Sequence, residues 1–353
     1  MEPGTGKKVP GFCPLHPAFP LLLPFSAFPF VILLSEFSKK RGMMIPRHNP
    51  AGGKKVWGLI LILAWLLFVP SAEAENVQLI WDPAKVTPGS VVPIRVASPE
   101  KLLSCEAVVG TDRFPLFRKR EGHFIALVGV ELGIKESVIP VDLEIYPLEE
   151  EKPYRLRMDL KVRKSEEEAK VQNLSLPTGM VDFSSEQLQQ ISRDGQDLRE
   201  SQAARTQERF WEKGFLVPVE GRITTGFGVR RVLNGQERSP HMGVDIAANR
   251  GTPIRASNSG KVFLAKDLYL SGKTVVVDHG WGISTLYGHL ERISVSEGEE
   301  VERGQILGTV GTTGRSTGPH LHFGAYVRGV KVDPLKLVEA TGDFGNTREP
   351  QVE

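Results

Sequence analysis

The sequence predicts a mainly β protein: an N-terminal immunoglobulin-like β-sandwich, a linking helix and a C-terminal all-β domain. Three observations carry that expectation. Residues 77–163 alternate apolar and polar side chains in short runs, the period of strands with one buried face. Residues 165–215 lose β-branched residues and gain charge and glutamine. From Leu216 onward, glycines separate brief apolar runs and no long helical period survives. The chain has 353 residues, 40% hydrophobic and 24% charged. Such a make-up allows about two domains and excludes a largely disordered chain or a multi-span membrane protein.

At the front, Lys54-Lys55 precede the apolar run Val56–Val69, and Ser71-Ala-Glu-Ala74 follows. A basic end, a short apolar core and an A-x-A pair make a secretory signal peptide over residues 43–74. The core is short for a bilayer crossing, which takes ~20 residues. An uncleaved leader would be the chain's one route to the membrane. Residues 1–42 read as a start codon placed too early, because Met43-Met44 stand where such a leader should begin. Eight Lys/Arg against three Glu fall in residues 1–74, so the rest carries 36 basic against 39 acidic residues. That mild acidity excludes a broad nucleic-acid surface, which needs clustered Lys and Arg. Of the two cysteines only Cys105 outlasts the leader, so the exported chain has no internal disulfide.

The sandwich is expected over residues 75–164. Its strand signals are Val77–Trp81, Val92–Val96, His123–Val128, Val138–Ile145 and Tyr154–Val162, with turn residues between them. It holds one histidine, His123, and no cluster of metal ligands. In the helical linker, residues 165–215, Ser184 and Gln187 form a capping-box signature, and Leu188, Ile191 and Leu198 recur at helical spacing. A solvated helix running to about Trp211 is expected. Residues 216–338 form the all-β domain, with a tail from 339 to 353.

Five of the eight histidines lie in that last domain. In His320-Leu-His322 a strand would turn both imidazoles to one face and Leu321 and Phe323 to the core. In His241-Met-Gly-Val-Asp245 the apolar Val244 and Ile246 alternate with Asp245, so the carboxylate would lie on a strand with a histidine just before it. Two histidines and one carboxylate are a common catalytic zinc set that leaves a fourth position for water. His279 reads as a structural residue at a strand end. Tyr287, two residues before His289, would share its face and either touch substrate or pack in the core. Arg230 could meet a substrate carboxylate.

Taken together, His241-x-x-x-Asp245, Tyr287-Gly-His-Leu290 and Gly318-Pro-His-Leu-His322 resemble the lysostaphin-type (LytM-type) zinc metallopeptidase family. Phe227-Gly-Val-Arg230, Gly251-Thr-Pro253 and Val332-Asp-Pro334 extend the likeness over about residues 217–334. The resemblance implies one Zn²⁺ per chain on His241, Asp245 and His322, with His320 and His289 as the unligated catalytic histidines. It implies a zinc metalloendopeptidase acting on peptidoglycan stem peptides or cross-links, in the periplasm or cell envelope. Cell-wall amidases and divisome proteins are the partners such a fold would have. The alternative from another class is a non-enzymatic activator of a cell-wall amidase, a fate of this fold when its ligands decay; all five expected positions are present here.

Overall fold

The computed structural model describes residues 78–80, 86–97, 102–120, 123–148, 152–203, 206 and 208–344. The leader and the end of the tail lie outside them. Alternation of apolar and polar residues builds the N-terminal half. Its strands are β1 (Gln78–Ile80), β2 (Val91–Ala97), β3 (Leu102–Val109), β4 (Asp112–Pro115), β5 (Phe117–Arg120), β6 (His123–Gly129), β7 (Val138–Pro147) and β8 (Tyr154–Lys161). They form two four-stranded antiparallel sheets, ordered β1-β2-β6-β5 and β4-β3-β7-β8. Along β7, Ile139, Val141, Leu143 and Ile145 are buried while Val138 and Pro140 are exposed, as the two-residue period requires. The buried faces of both sheets share one apolar cluster that includes Ile94, Ile125, Leu143 and Leu160.

The next segment differs from the helical linker expected over 165–215. It opens with a 3₁₀ turn (Glu167–Ala169) and a strand, β9 (Val171–Leu174), and the helix that follows, α1 (Ser185–Ala203), ends before Trp211. The capping box forms at its start: the Gln187 amide donates to Ser184 Oγ at 3.3 Å, and the Ser184 amide to Gln187 Oε1 at 2.8 Å. The helix is also docked rather than solvated. Leu198 packs on Leu264, Leu268, Val276, Leu286 and Tyr326, and buried Asp194 accepts from the Tyr269 amide at 2.6 Å.

Beyond it come β10 (Arg222–Thr225), β11 (Arg230–Leu233), β12 (Gln236–Arg238), β13 (Val244–Ala247), β14 (Pro253–Arg255), β15 (Gly260–Leu268) and β16 (Gly272–Asp278). They are followed by β17 (Ile283–Ile293), β18 (Glu300–Val301), β19 (Ile306–Val310), β20 (His320–Val327) and β21 (Val330–Val332). The large sheet runs β10-β13-β20-β17-β16-β15-β18, with β14, β19 and β21 joined at its sides. A second apolar cluster, with Ile246, Val275, Val277, Leu321 and Phe323, fills it. The domain also holds a short helix, α2 (Pro334–Thr341), capped by Asp333, whose side chain accepts from the Leu335 amide. Asp-Pro is a standard helix start.

The halves meet over aromatic rings. Phe117 of β5 stands edge-on to Trp211 (centroids 5.7 Å apart) and to Trp281 (4.3 Å), with the Arg209 guanidinium 5.2 Å from the Phe117 ring centre. Each edge-to-face pair adds about 0.5–1.5 kcal/mol beyond its buried area, which ties the first half to the sheet that carries the site.

Candidate metal centre

Register sets the site. Antiparallel pairing of β13 and β20 puts Asp245 opposite His322 and Ala247 opposite His320. Directly opposed residues project to the same face, so the carboxylate and the His320 and His322 rings share one side. Leu321 and Phe323, fully buried, take the other. His241 enters from the loop before β13. Its amide donates to Val229 O at 2.9 Å, and its carbonyl accepts from the Gly228 amide at 2.8 Å.

Three side chains converge. His241 Nε2 and His322 Nδ1 each lie 2.9 Å from Asp245 Oδ1, and 3.0 Å from one another. A tetrahedral ion about 2.1 Å from each ligand would hold such atoms about 3.4 Å apart, so this near-equilateral triangle closes round a divalent cation with a small expansion. Tautomers agree. His241 Nδ1 donates to Gly226 O at 2.9 Å, which leaves the Nε2 lone pair facing inward. Close approach of the backbone makes room: a Cβ on Gly243 would stand 2.6 Å from the His322 ring. The residues present therefore fit a metal ion, and the donor set of two imidazoles and one carboxylate suits zinc.

Burial pushes the His241 imidazole down to about 4, against the pull of Asp245. Burial also pushes the Asp245 carboxyl up, but its close contacts with the His241 and His322 rings outweigh it and hold the group far below the usual carboxylate range. Arg231 completes the carboxylate by donating to its second oxygen, Oδ2, at 2.8 Å. Asp245 is thus an anion with one oxygen committed to a cation and the other aimed at the two rings.

Two more histidines flank the triangle. The His320 and His289 ring centroids are 4.7 Å apart, and His320 Nε2 is 3.8 Å from Asp245 Oδ1. Each is tethered through Nδ1, His289 to Thr313 O and His320 to Gly318 O, both at 2.8 Å. A neutral imidazole that donates at Nδ1 has an acceptor at Nε2. Burial, with His322 and His320 nearby, pushes His289 down to about 3, which keeps that ring neutral. Both histidines line a groove of about 310 Å³ with Asp245, Arg231, Arg315 and Gln172.

Two residues expected here stand elsewhere. Tyr287 does not reach the groove: it is fully buried, and its hydroxyl lies 2.8 Å from both the Ser257 amide and Thr285 Oγ1. The cause is a bulge. His289 has φ +63° and the pairing of β17 slips on either side of it, so it turns to the site while Tyr287 keeps the core face. Arg230 is exposed and paired with Glu237 at 2.6 Å. Its neighbour Arg231 faces the groove instead, as strand alternation of the Arg230-Arg231 doublet would have indicated. Gln172 carried no such signal. It arrives because β9 pairs in parallel with β11, Gln172 beside Arg231, and it donates to Thr225 Oγ1 at 3.0 Å.

Known proteins match this chain over the same region. The family model described as Peptidase family M23 matches residues 239–334. A peptidoglycan DD-endopeptidase of Vibrio cholerae, ShyA, is 42% identical over 35% of this chain and 29% of its own length. The DD-carboxypeptidase/endopeptidase Mpg of Neisseria meningitidis is 41% identical over 36% of this chain and 29% of its own. These alignments thus span under a third of the curated relatives' length. A crystal structure from Pseudomonas aeruginosa assigned to peptidase M23 is 30% identical with a TM-score of 0.56, covering 72% of this chain and 96% of that one. On that breadth of likeness, the chain belongs to peptidase family M23.

Proposed function

We propose that this chain is an exported zinc metalloendopeptidase that hydrolyses peptide bonds in peptidoglycan stem peptides or cross-links. The names of the relatives point to bonds between two D-residues. The observation that carries the reading is the composition of the centre. Among the described residues, His241, Asp245 and His322 form the group able to hold a metal ion, and two tethered histidines stand beside them. Three protein ligands with room for water is the make-up of a catalytic zinc site, whereas structural sites close with a fourth.

Zinc held there would bring the pKa of water toward ~7 and polarise the scissile carbonyl. His320 offers Nε2 to the attacking water, takes its proton and returns it to the leaving amine. His289, neutral and an acceptor at Nε2, orients that water. The Nδ1 tethers keep both rings from turning. Arg231 holds Asp245 so that one carboxylate oxygen stays on the ligand triangle.

The domain reading has a leader at 43–74, an immunoglobulin-like sandwich at 75–164, a linker at 165–215 and the peptidase domain at 216–338. Alternating strands and a shared two-sheet core support the sandwich. The A-x-A leader supports export to the periplasm or envelope. Among the described residues, no helix is long and apolar enough to cross a membrane. The test is metal analysis with muropeptide digestion by residues 75–353. One zinc per chain and new peptide termini are expected; a metal-loaded protein that leaves muropeptides whole would overturn the reading.

A further inference from the structure

Arg231 spends two of its five N–H donors inside the protein, Nη2 on Asp245 Oδ2 at 2.8 Å and Nε on Gln172 Oε1 at 3.3 Å. Arg315 comes from the loop before β20, which its amide anchors by donating to Leu270 O at 2.8 Å. It lines the groove with Arg231, His289 and His320. Among the described residues no carboxylate pairs with the Arg315 guanidinium. Burial first, then the cations Arg231 and Arg238, push its pKa below the ordinary arginine value. Partly desolvated like charges that face one groove are unfavourable until an anion joins them.

We propose that Arg315 and Arg231 form a carboxylate subsite for the leaving residue of the peptide, taking the free carboxylate on the carbon next to the scissile nitrogen. This rests on the peptidase reading of the same groove. A guanidinium is a planar fork that matches a carboxylate, and Arg231 already holds one. The subsite adjoins the ligand triangle through the Arg231–Asp245 bond, so its occupant lies close to the reacting carbonyl. In a bond between two D-residues the leaving residue carries that carboxylate, whether it is a chain end or part of a cross-link.

The test uses the full exported chain and two probes that contain no D,D-bond, N-acetyl-D-alanine and its C-terminal amide, titrated by NMR at low salt. The free acid should bind on the order of tenfold tighter than the amide, the size of one charge-assisted hydrogen-bonded pair. The difference should shrink with added salt. Arg315→Ala should erase it and Arg315→Lys keep part of it, since lysine retains the charge without the fork. Equal binding of acid and amide to the unaltered chain, or a preference intact in Arg315→Ala, would overturn the subsite. Inorganic phosphate displacing the acid at equal concentration would overturn the ligand class. Failure to cut muropeptides with the acid preference intact would instead defeat the peptidase reading and leave the subsite standing.

Discussion

His279 and three histidines of the site, His241, His289 and His320, lie on or beside the same large sheet, and each has Nδ1 bonded to a backbone carbonyl. His279 Nδ1 meets Ser259 O at 2.8 Å, much as His241, His289 and His320 meet Gly226, Thr313 and Gly318. What separates the two regions is the other nitrogen. His279 Nε2 is closed by Thr285 Oγ1 at 2.7 Å in a fully buried site. At the site, His241 Nε2, His322 Nδ1 and, at 3.8 Å, His320 Nε2 gather round Asp245 Oδ1, and Asp245 lines an open groove with His289 and His320. A tether alone therefore does not mark a reactive histidine. A tether whose second nitrogen faces the Asp245 carboxylate or the groove does.

Substitutions can test that contrast, and the largest effect belongs to the carboxylate. Asp245→Ala should reduce metal affinity by more than about 100-fold, beyond the 10–100-fold typical of outer-sphere changes, and abolish muropeptide cleavage; metal titration reads it. His320→Ala should keep the metal and lower turnover by about 10²–10⁴-fold, the range for a general base. Equal loss of metal would make His320 a ligand. Gly243→Ala forces a methyl group against both the His322 ring and the Phe323 carbonyl oxygen and should weaken metal binding by about 10–100-fold and lower stability in urea melts.

His279→Asn tests the closed region. Metal content should hold while stability falls by about 1–3 kcal/mol, because Thr285 and Ser259 lose a buried partner. Burial pushes His279 down to about 4, below the ~6.5 of an unfolded histidine. The unfolded chain therefore binds the proton more readily. This part of the stability is present above ~6.5 and drains away as pH falls toward 4. Urea melts across that range should show a shallower acid decline in the variant. The smallest effect is expected from Arg230→Ala, which breaks an exposed ion pair and should leave stability within about 0.5 kcal/mol and metal binding unchanged.

Much of the groove could be read along the chain because it depends on local periods. His320-x-His322 faces one side by strand alternation, and Asp245 follows from Val244 and Ile246. The face of Tyr287 could not be read that way, since a one-residue bulge at His289 reverses alternation and leaves no mark in a string of residue types. Strand β9 was hidden for another reason. Val171-Gln-Asn-Leu174 is a short, half-polar edge strand, and its partner lies 59 residues further on at Arg230. Long-range pairing of exposed residues carries no hydrophobic signature. The helix at Pro334 was signalled by Asp333-Pro334, which the glycine-rich surroundings obscured.

The parallel pairing of β9 with β11 bears on how this chain can be cut down. Gln172 and Leu174 belong to the chain ahead of the linker helix, yet they form part of the cleft rim. A fragment trimmed to begin at Leu216 would keep His241, Asp245 and His322 and lose Gln172 and Leu174 from the groove wall. The minimal unit with a native cleft starts ahead of Val171, and residues 239–334 alone would also leave behind Arg231, which holds Asp245, and Gly226, which tethers His241.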